Sequence, residues 1–371
     1  MLRNGREHET SSDVGRAGRG PGDEGYPVYE MLLSSRSWSL IFLLVLVVPM
    51  SLLILATLRI VVAQNWGGSL NPERVRHAIA LDPSNPMLHF ALGKILLLNA
   101  EPSTQAAAEQ EFRTAVKLNR YSAVFWSGLG KACYSSENQS CADAAFRRAQ
   151  ELAPSNPQFA WEAGVYDVVL KRREAAIGQL KTFLRLQPDG LEQSFSLLMR
   201  GFDNPNVVWG DLLGASSDPL PKVRFLDYLV DNNNFEAADA FWQQLAGEKT
   251  KLPLTILTPY VDRLIATGHY RQATQAWAYA THENWRASES GTSDQTDVFN
   301  GGFEQEPLNA GFDWRFRQQP YIELDFSDPN AHDGQRALRI DFTVPQNFEY
   351  ELAYQLVPVI PGQTYELSGF I

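Results

Sequence analysis

The sequence predicts a mainly α protein: a single transmembrane helix, an α-solenoid of helix hairpins, and then a partial all-β sandwich. Three observations carry that expectation. An uncharged apolar run fills residues 38 to 58, a leucine-led signal recurs at near-constant spacing from 81 to 188, and beyond 298 the apolar period changes from helical to alternating.

With 371 residues, 44% hydrophobic and 11% aromatic, the chain has room for two or three domains with cores of their own. Residues 1 to 63 carry equal numbers of each sign, so the net charge of -11 resides beyond residue 63. A body that acidic is a poor partner for nucleic-acid phosphates and for anionic surfaces in general.

The run "WSLIFLLVLVVPMSLLILATL" at 38–58 has the roughly 20 residues that a membrane-crossing helix needs, and no polar face. Pro49 is placed to kink it, and Arg59 to snorkel at its far end. A cleaved signal peptide ending near "VVAQ" is the competing reading, but 37 residues precede the run, which favours a retained anchor. Arg3, Arg6, Arg16, Arg19 and Arg36 lie before it and only Arg74 and Arg76 in the twenty residues that follow position 62. The expected topology is an inner (plasma) membrane protein with its N-terminus cytoplasmic and its body periplasmic or extracellular.

Leu81, Leu118, Leu152 and Leu186 open the recurring signal at intervals of 37, 34 and 34 residues. In the copy at 123–156, Trp126, Leu129, Gly130, Ala142, Phe146, Ala149 and Pro154 fit a helix hairpin, with small residues at the helix contact and proline after the second helix. These positions and this spacing resemble the tetratricopeptide repeat family. Flanking copies use Leu92, Gly93, Ala108, Phe112 and Ala115, then Ala163, Gly164, Ala176, Leu180, Phe183 and Pro188. "LGK" at 92–94 and 129–131 invites a phosphate loop, but Phe125 and Ala132 stand where that loop needs glycine and Ser or Thr. Two weaker pairs come next, with "FEAADAFWQQL" at 235 and "YRQATQAWAYA" at 270 related by a shift of 35, and an irregular joint is expected at 200–220.

From 298 the chain alternates, with Leu338, Ile340, Phe342 and Val344 against Arg339, Asp341 and Thr343, then Tyr350, Leu352, Tyr354 and Leu356. The ordered motifs "NGGFE" (300–304), "GFDW" (311–314), "DGQRALRI" (333–340) and "YQLVPVIPGQTYELSGFI" (354–371) resemble the jelly-roll carbohydrate-binding modules of bacterial xylanases and glucanases. The expected divisions are a disordered cytoplasmic tail 1–37, transmembrane helix 38–62, tetratricopeptide-like repeats 69–190, degenerate helical repeats 191–285, linker 286–297 and incomplete β-module 298–371. Because Tyr365, Leu367 and Ile371 alternate to the end of the chain, a last strand is expected at 363–371 with its partners elsewhere, either in a longer native chain or in another chain.

The tetratricopeptide resemblance implies a peptide groove along successive first helices: Phe90, Lys94, Leu97, Ser127, Lys131, Tyr134, Trp161, Val165 and Val168. Two lysines among aromatics would suit an extended, partly acidic peptide; the alternative is a groove covered by the chain's own later helices. The module resemblance implies a glycan face drawn from Trp314, Phe316, Tyr321, Phe348, Tyr350 and Tyr354, residues that serve equally well as core. It also implies a structural calcium with Glu304 and Asp333 among its ligands. Cys133 and Cys141 fall on facing helices and read either as a disulfide or as two free core residues. His8, His77, His89, His269, His282 and His332 form no ligand spacing, and no nucleophile motif occurs, so no cofactor and no enzyme is expected. The combination implies an extracytoplasmic scaffold for a cell-envelope assembly, with other envelope proteins as partners of the helical repeats and either polysaccharide or another protein as partner of the β-module. The alternative is a glycan-active enzyme, or its accessory subunit, whose catalytic part lies outside this chain.

Overall fold

A computed structural model describes residues 35–98, 101–214, 216–285, 298–344, 353–359, 361–362 and 364–369. Helix α1 (Ser35–Gly67) runs unbroken through Pro49. Its stretch Phe42–Gly67 has a mean hydropathy of 2.5 and, among the described helices, is the one long and apolar enough to cross a bilayer by length and composition. At its far end the environment changes. Ala63 is fully buried against Ala78 and Leu88, and the Gly67 backbone lies so close to the tip of Leu88 that a side chain there would have to push it aside. The end of α1 is thus part of the packed body.

Helices α2 (Pro72–Leu81), α3 (Pro86–Leu97), α4 (Pro102–Leu118), α5 (Ala123–Ser135), α6 (Gln139–Leu152), α7 (Pro157–Val169), α8 (Arg173–Leu186) and α9 (Leu191–Phe202) come next. Four begin with proline at the first position, and Asn71, Asn85 and Asn156 cap theirs with a side-chain acceptor. In the hairpins α3–α4, α5–α6 and α7–α8 a glycine of the first helix faces a large residue of the second. A Cβ on Gly93 would sit 3.0 Å from Phe112, on Gly130 3.1 Å from Phe146 and on Gly164 3.4 Å from Leu180. The glycines of both "LGK" stretches are therefore packing residues.

Helices α10 (Leu220–Asp231), α11 (Phe235–Gly247), α12 (Leu254–Ala266) and α13 (Tyr270–Trp285) form two further pairs. Their membership of the same repeat is written in the turns. Glu137, Lys171, Asn233 and Gly268 all take positive φ (59°, 57°, 59° and 79°). Each is followed by an N–H that reaches back to the first helix at 2.8 Å: Asn138 to Cys133, Arg172 to Asp167, Asn234 to Leu229 and His269 to Leu264. One left-handed residue closes four hairpins in the same way, including the two pairs whose sequences have drifted.

The stretch expected to be an irregular joint holds a π turn, Val207–Leu212, with Val207, Val208, Trp209 and Leu212 buried. Trp209 stacks on Phe241 at 4.7 Å and 11°, so this segment joins the two halves through apolar packing.

The β region departs further from expectation. Strands β1 (Arg315–Phe316), β2 (Ile322–Asp328), β3 (Ala337–Phe342) and β4 (Ala353–Tyr354) make two separate antiparallel pairs, β1–β4 and β2–β3. Among the described residues there is no closed sandwich, and 364–369 form no strand, because nothing described pairs with their backbone. The expected linker lies outside the described residues. Beyond it the module is held to the last hairpin: Asp262 of α12 accepts from the Gly311 N–H at 2.7 Å and from the Arg315 guanidinium. The ring of Trp277 on α13 meets Phe299 at 5.0 Å and Phe312 at 6.0 Å. Gly311, at φ 61°, lies directly on Trp277.

Candidate binding groove

Successive first helices α3, α5 and α7 bring the nine expected groove residues into three rungs, Phe90–Ser127–Trp161, Lys94–Lys131–Val165 and Leu97–Tyr134–Val168. Several of them are occupied with packing. Phe90 contacts the rings of Phe112 (5.5 Å) and Phe125 (5.2 Å), Trp161 contacts Phe183 (5.1 Å), Val168 is buried, and Leu97 and Val165 are half-buried. What remains open to solvent is Lys94, Lys131 and Tyr134. Tyr134 stands edge-on to Tyr166 at 5.5 Å, and the Lys94 ammonium lies 5.7 Å from the Phe90 ring centre.

The two lysines are not equivalent. Glu162 of α7 accepts from Lys131 at 2.6 Å, from Gln158 at 3.0 Å and from the buried Ser127 hydroxyl. Burial works to raise the Glu162 carboxyl, but the hydrogen bonds from Lys131, Ser127 and Gln158 and the Lys131 charge outweigh it and hold the group below its ordinary range. The face therefore presents one cation, Lys94, which has no carboxylate partner among the described residues, beside a charge-compensated Lys131–Glu162 pair. The groove is amphoteric rather than basic. Glu162 escaped the sequence reading, although the repeat register marks it: it occupies the place of Gly128 and Ala91 in the two preceding hairpins.

The module residues are placed less coherently. Phe348 and Tyr350 lie outside the described residues. Trp314 stacks on Phe303 at 5.0 Å and donates to the Asn300 carbonyl, and Phe316 packs edge-on against Phe326 at 4.7 Å. Tyr321 is exposed, while Tyr354 lies 5.8 Å from the Arg317 guanidinium. In the β1–β4 register Arg315 opposes Tyr354 and Phe316 opposes Ala353, so Phe316 and Tyr354 point to opposite faces. Of the expected calcium ligands, Glu304 accepts from the Gln335 and Arg336 N–H groups at 2.8 and 3.2 Å, and Asp333 accepts from the Gly334 N–H at 2.9 Å. Both carboxylates fasten the 333–336 turn.

Cys133 and Cys141 are joined in a disulfide, with Cα atoms 5.7 Å apart and the Arg113 guanidinium 3.3 Å from the Cys141 sulfur. The closed loop is short, so Cys133→Ala with Cys141→Ala is expected to cost only about 2 kcal/mol. Thiol labelling of unreduced, unfolded protein checks the bond, with no reactive thiol as the expected result. A separate group stands out in the second half. Asp227 of α10 is buried with one carboxylate oxygen lacking a hydrogen-bond partner among the described residues. Desolvation pushes its carboxyl up to about 7 against the pull of Arg224 and Arg263.

No family model matches this chain, and no curated protein does. Among solved structures, YrrB, a TPR protein with an unusual peptide-binding site, is 14% identical with a TM-score of 0.32, covering 47% of this chain and 81% of its own. PilF of Pseudomonas aeruginosa is 18% identical with a TM-score of 0.33, covering 62% of this chain and 93% of its own. The repeat architecture stands on the hairpins and turns of this chain itself.

Proposed function

We propose that this protein is a single-pass, membrane-anchored scaffold of the cell envelope, whose helical stack holds an extended segment of a partner protein against α3, α5 and α7. The observation that carries this reading is the open row of Lys94, Lys131 and Tyr134 flanked by Glu162, in a groove whose six other expected residues are buried or half-buried. Its mixed charge suits a peptide that offers both signs, with an acidic side chain at Lys94. The β-module supplies a second contact. The placement of Phe316 and Tyr354 on opposite faces of the β1–β4 pair favours a protein there over a sugar platform.

Two experiments test the proposal. A periplasmic-activity reporter fused after Gly68 is expected to be active; cytoplasmic activity from that fusion would overturn the topology. A photo-crosslinker at Tyr134 is expected to capture one dominant envelope protein from membranes, and the same crosslink from a position on the outer face of α8 would sink the groove. Within the groove, Glu162→Gln leaves Lys131 uncompensated. Binding of an acidic peptide selected on the wild-type groove should strengthen about threefold to tenfold in low salt, measured by titration calorimetry.

A further inference from the structure

Where α1 leaves its apolar stretch, its last turns and α2 border an open pocket of about 390 Å³ lined by Asn65, Trp66, Ser69, Arg74 and His77. Ala63 and Gly67 of α1, seated on Ala78 and Leu88, fix its place. From Phe42, about 20 residues of helix rising 1.5 Å each cover the roughly 30 Å of hydrocarbon in a bilayer. That count ends near Val62, and Asn65 and Trp66 come one turn later, at the depth of the headgroups. An exposed tryptophan is favoured there.

The pocket's chemistry fits a phosphate. Arg76 is paired with Glu73, whereas Arg74 has no carboxylate partner among the described residues and lines the cavity. His77 meets the Trp66 ring at 6.3 Å, so the two rings make one wall, and Ser69 and Asn65 add a hydroxyl and an amide. A guanidinium with a hydroxyl and an amide beside it is the arrangement that holds phosphate oxygens, in a volume that admits a headgroup phosphate. The body as a whole is acidic, which opposes anion binding at long range. The segment from 59 to 77 is its locally basic exception, with Arg59, Arg74 and Arg76 against Glu73.

We propose that this pocket holds the phosphate of an anionic membrane lipid, clamping the headgroup between the end of the membrane helix and α2. The inference rests on the reading of α1 as a membrane anchor. The test uses the full chain in a neutral detergent, with native mass spectrometry reading retained lipid as phosphatidylglycerol, phosphatidylcholine or inorganic phosphate is added. One phosphatidylglycerol should be retained in preference to phosphatidylcholine. Arg74→Ala should weaken its binding about tenfold, the worth of one charge-assisted contact, and Arg76→Ala should leave it unchanged. Equal loss in the two variants would mean diffuse surface charge and overturn the site. Retention of inorganic phosphate that blocks the lipid at equal concentration would make it a free-phosphate site and overturn the lipid assignment. Carbonate extraction of membranes separates the two readings: release of the chain defeats the anchor whatever the micelle result, while a chain that resists extraction but shows no lipid preference defeats the pocket alone.

Discussion

Gly311→Val is expected to release the β-module from the last helix pair while the hairpin stack stays folded. Gly311 holds φ 61°, a region that costs a branched residue about 1–2 kcal/mol, and its missing Cβ lies where the Trp277 indole is. The displaced backbone would also carry its N–H away from Asp262, leaving the Arg315 guanidinium as the one remaining partner of that carboxylate across the junction. Together these changes should weaken docking by about 2–5 kcal/mol. Hydrogen exchange followed by mass spectrometry reads the result. Peptides covering 308–316 should lose protection, while those from α5 to α8 keep theirs. Gly302→Ala, where a Cβ meets little, is the matched control. Unchanged protection at 308–316 in the valine variant would mean that the module is not held by this contact.

Asp227→Asn should make the protein more stable in mildly alkaline solution and remove most of the pH dependence of that half of the stack. The carboxyl is raised from an ordinary 3.8 to about 7, so between those values the folded state holds a proton that the unfolded chain releases. The contribution is complete below about 3.8 and is lost as pH climbs through about 7. A shift of this size corresponds to at most about 4 kcal/mol. In a body of this size that is on the order of 10 °C in Tm. The neighbouring charges do not rescue the carboxylate, since Arg263 is engaged with Asp231 at 3.0 Å. Asparagine keeps the shape and has no charge to desolvate. Thermal melts at pH 5 and pH 8 should differ strongly for the wild type and little for the variant, and a parallel fall in both would overturn the account.

The hairpins were legible because their determinants are local and repeat: Gly130 opposite Phe146 is one short hairpin's affair, and the next copy says it again. The same periodicity, read in register, would have exposed Glu162 as a carboxylate standing where Gly128 stood one hairpin earlier. The left-handed turn residues were hidden because Glu137, Lys171 and Asn233 share no side-chain type, only a backbone angle. The β region resisted for the opposite reason. Alternation set Ile340 apart from Arg339 and Asp341, but that Ile340 would face Leu324 of β2 is decided across a long loop. The Asp262–Arg315 contact joins a helix to a strand in a way neither segment encodes alone. The π turn at Val207–Leu212 was masked by the Asn, Gly, Ser and Pro around it, while Trp209 held the answer by stacking on Phe241.

The burial of Ala63 and the contact of Gly67 with Leu88 have a mechanical meaning. Were α1 seated in a bilayer, as proposed, there would be no swivel between shaft and load, because its far end is packed directly on α2 and α3. Torque applied to the distal end by a bound partner would be delivered to the membrane as tilt of α1, and lipid thickness would in turn set the angle at which the whole arm leans over the surface. An arm mounted in that way would hold whatever it bound at a fixed height and bearing.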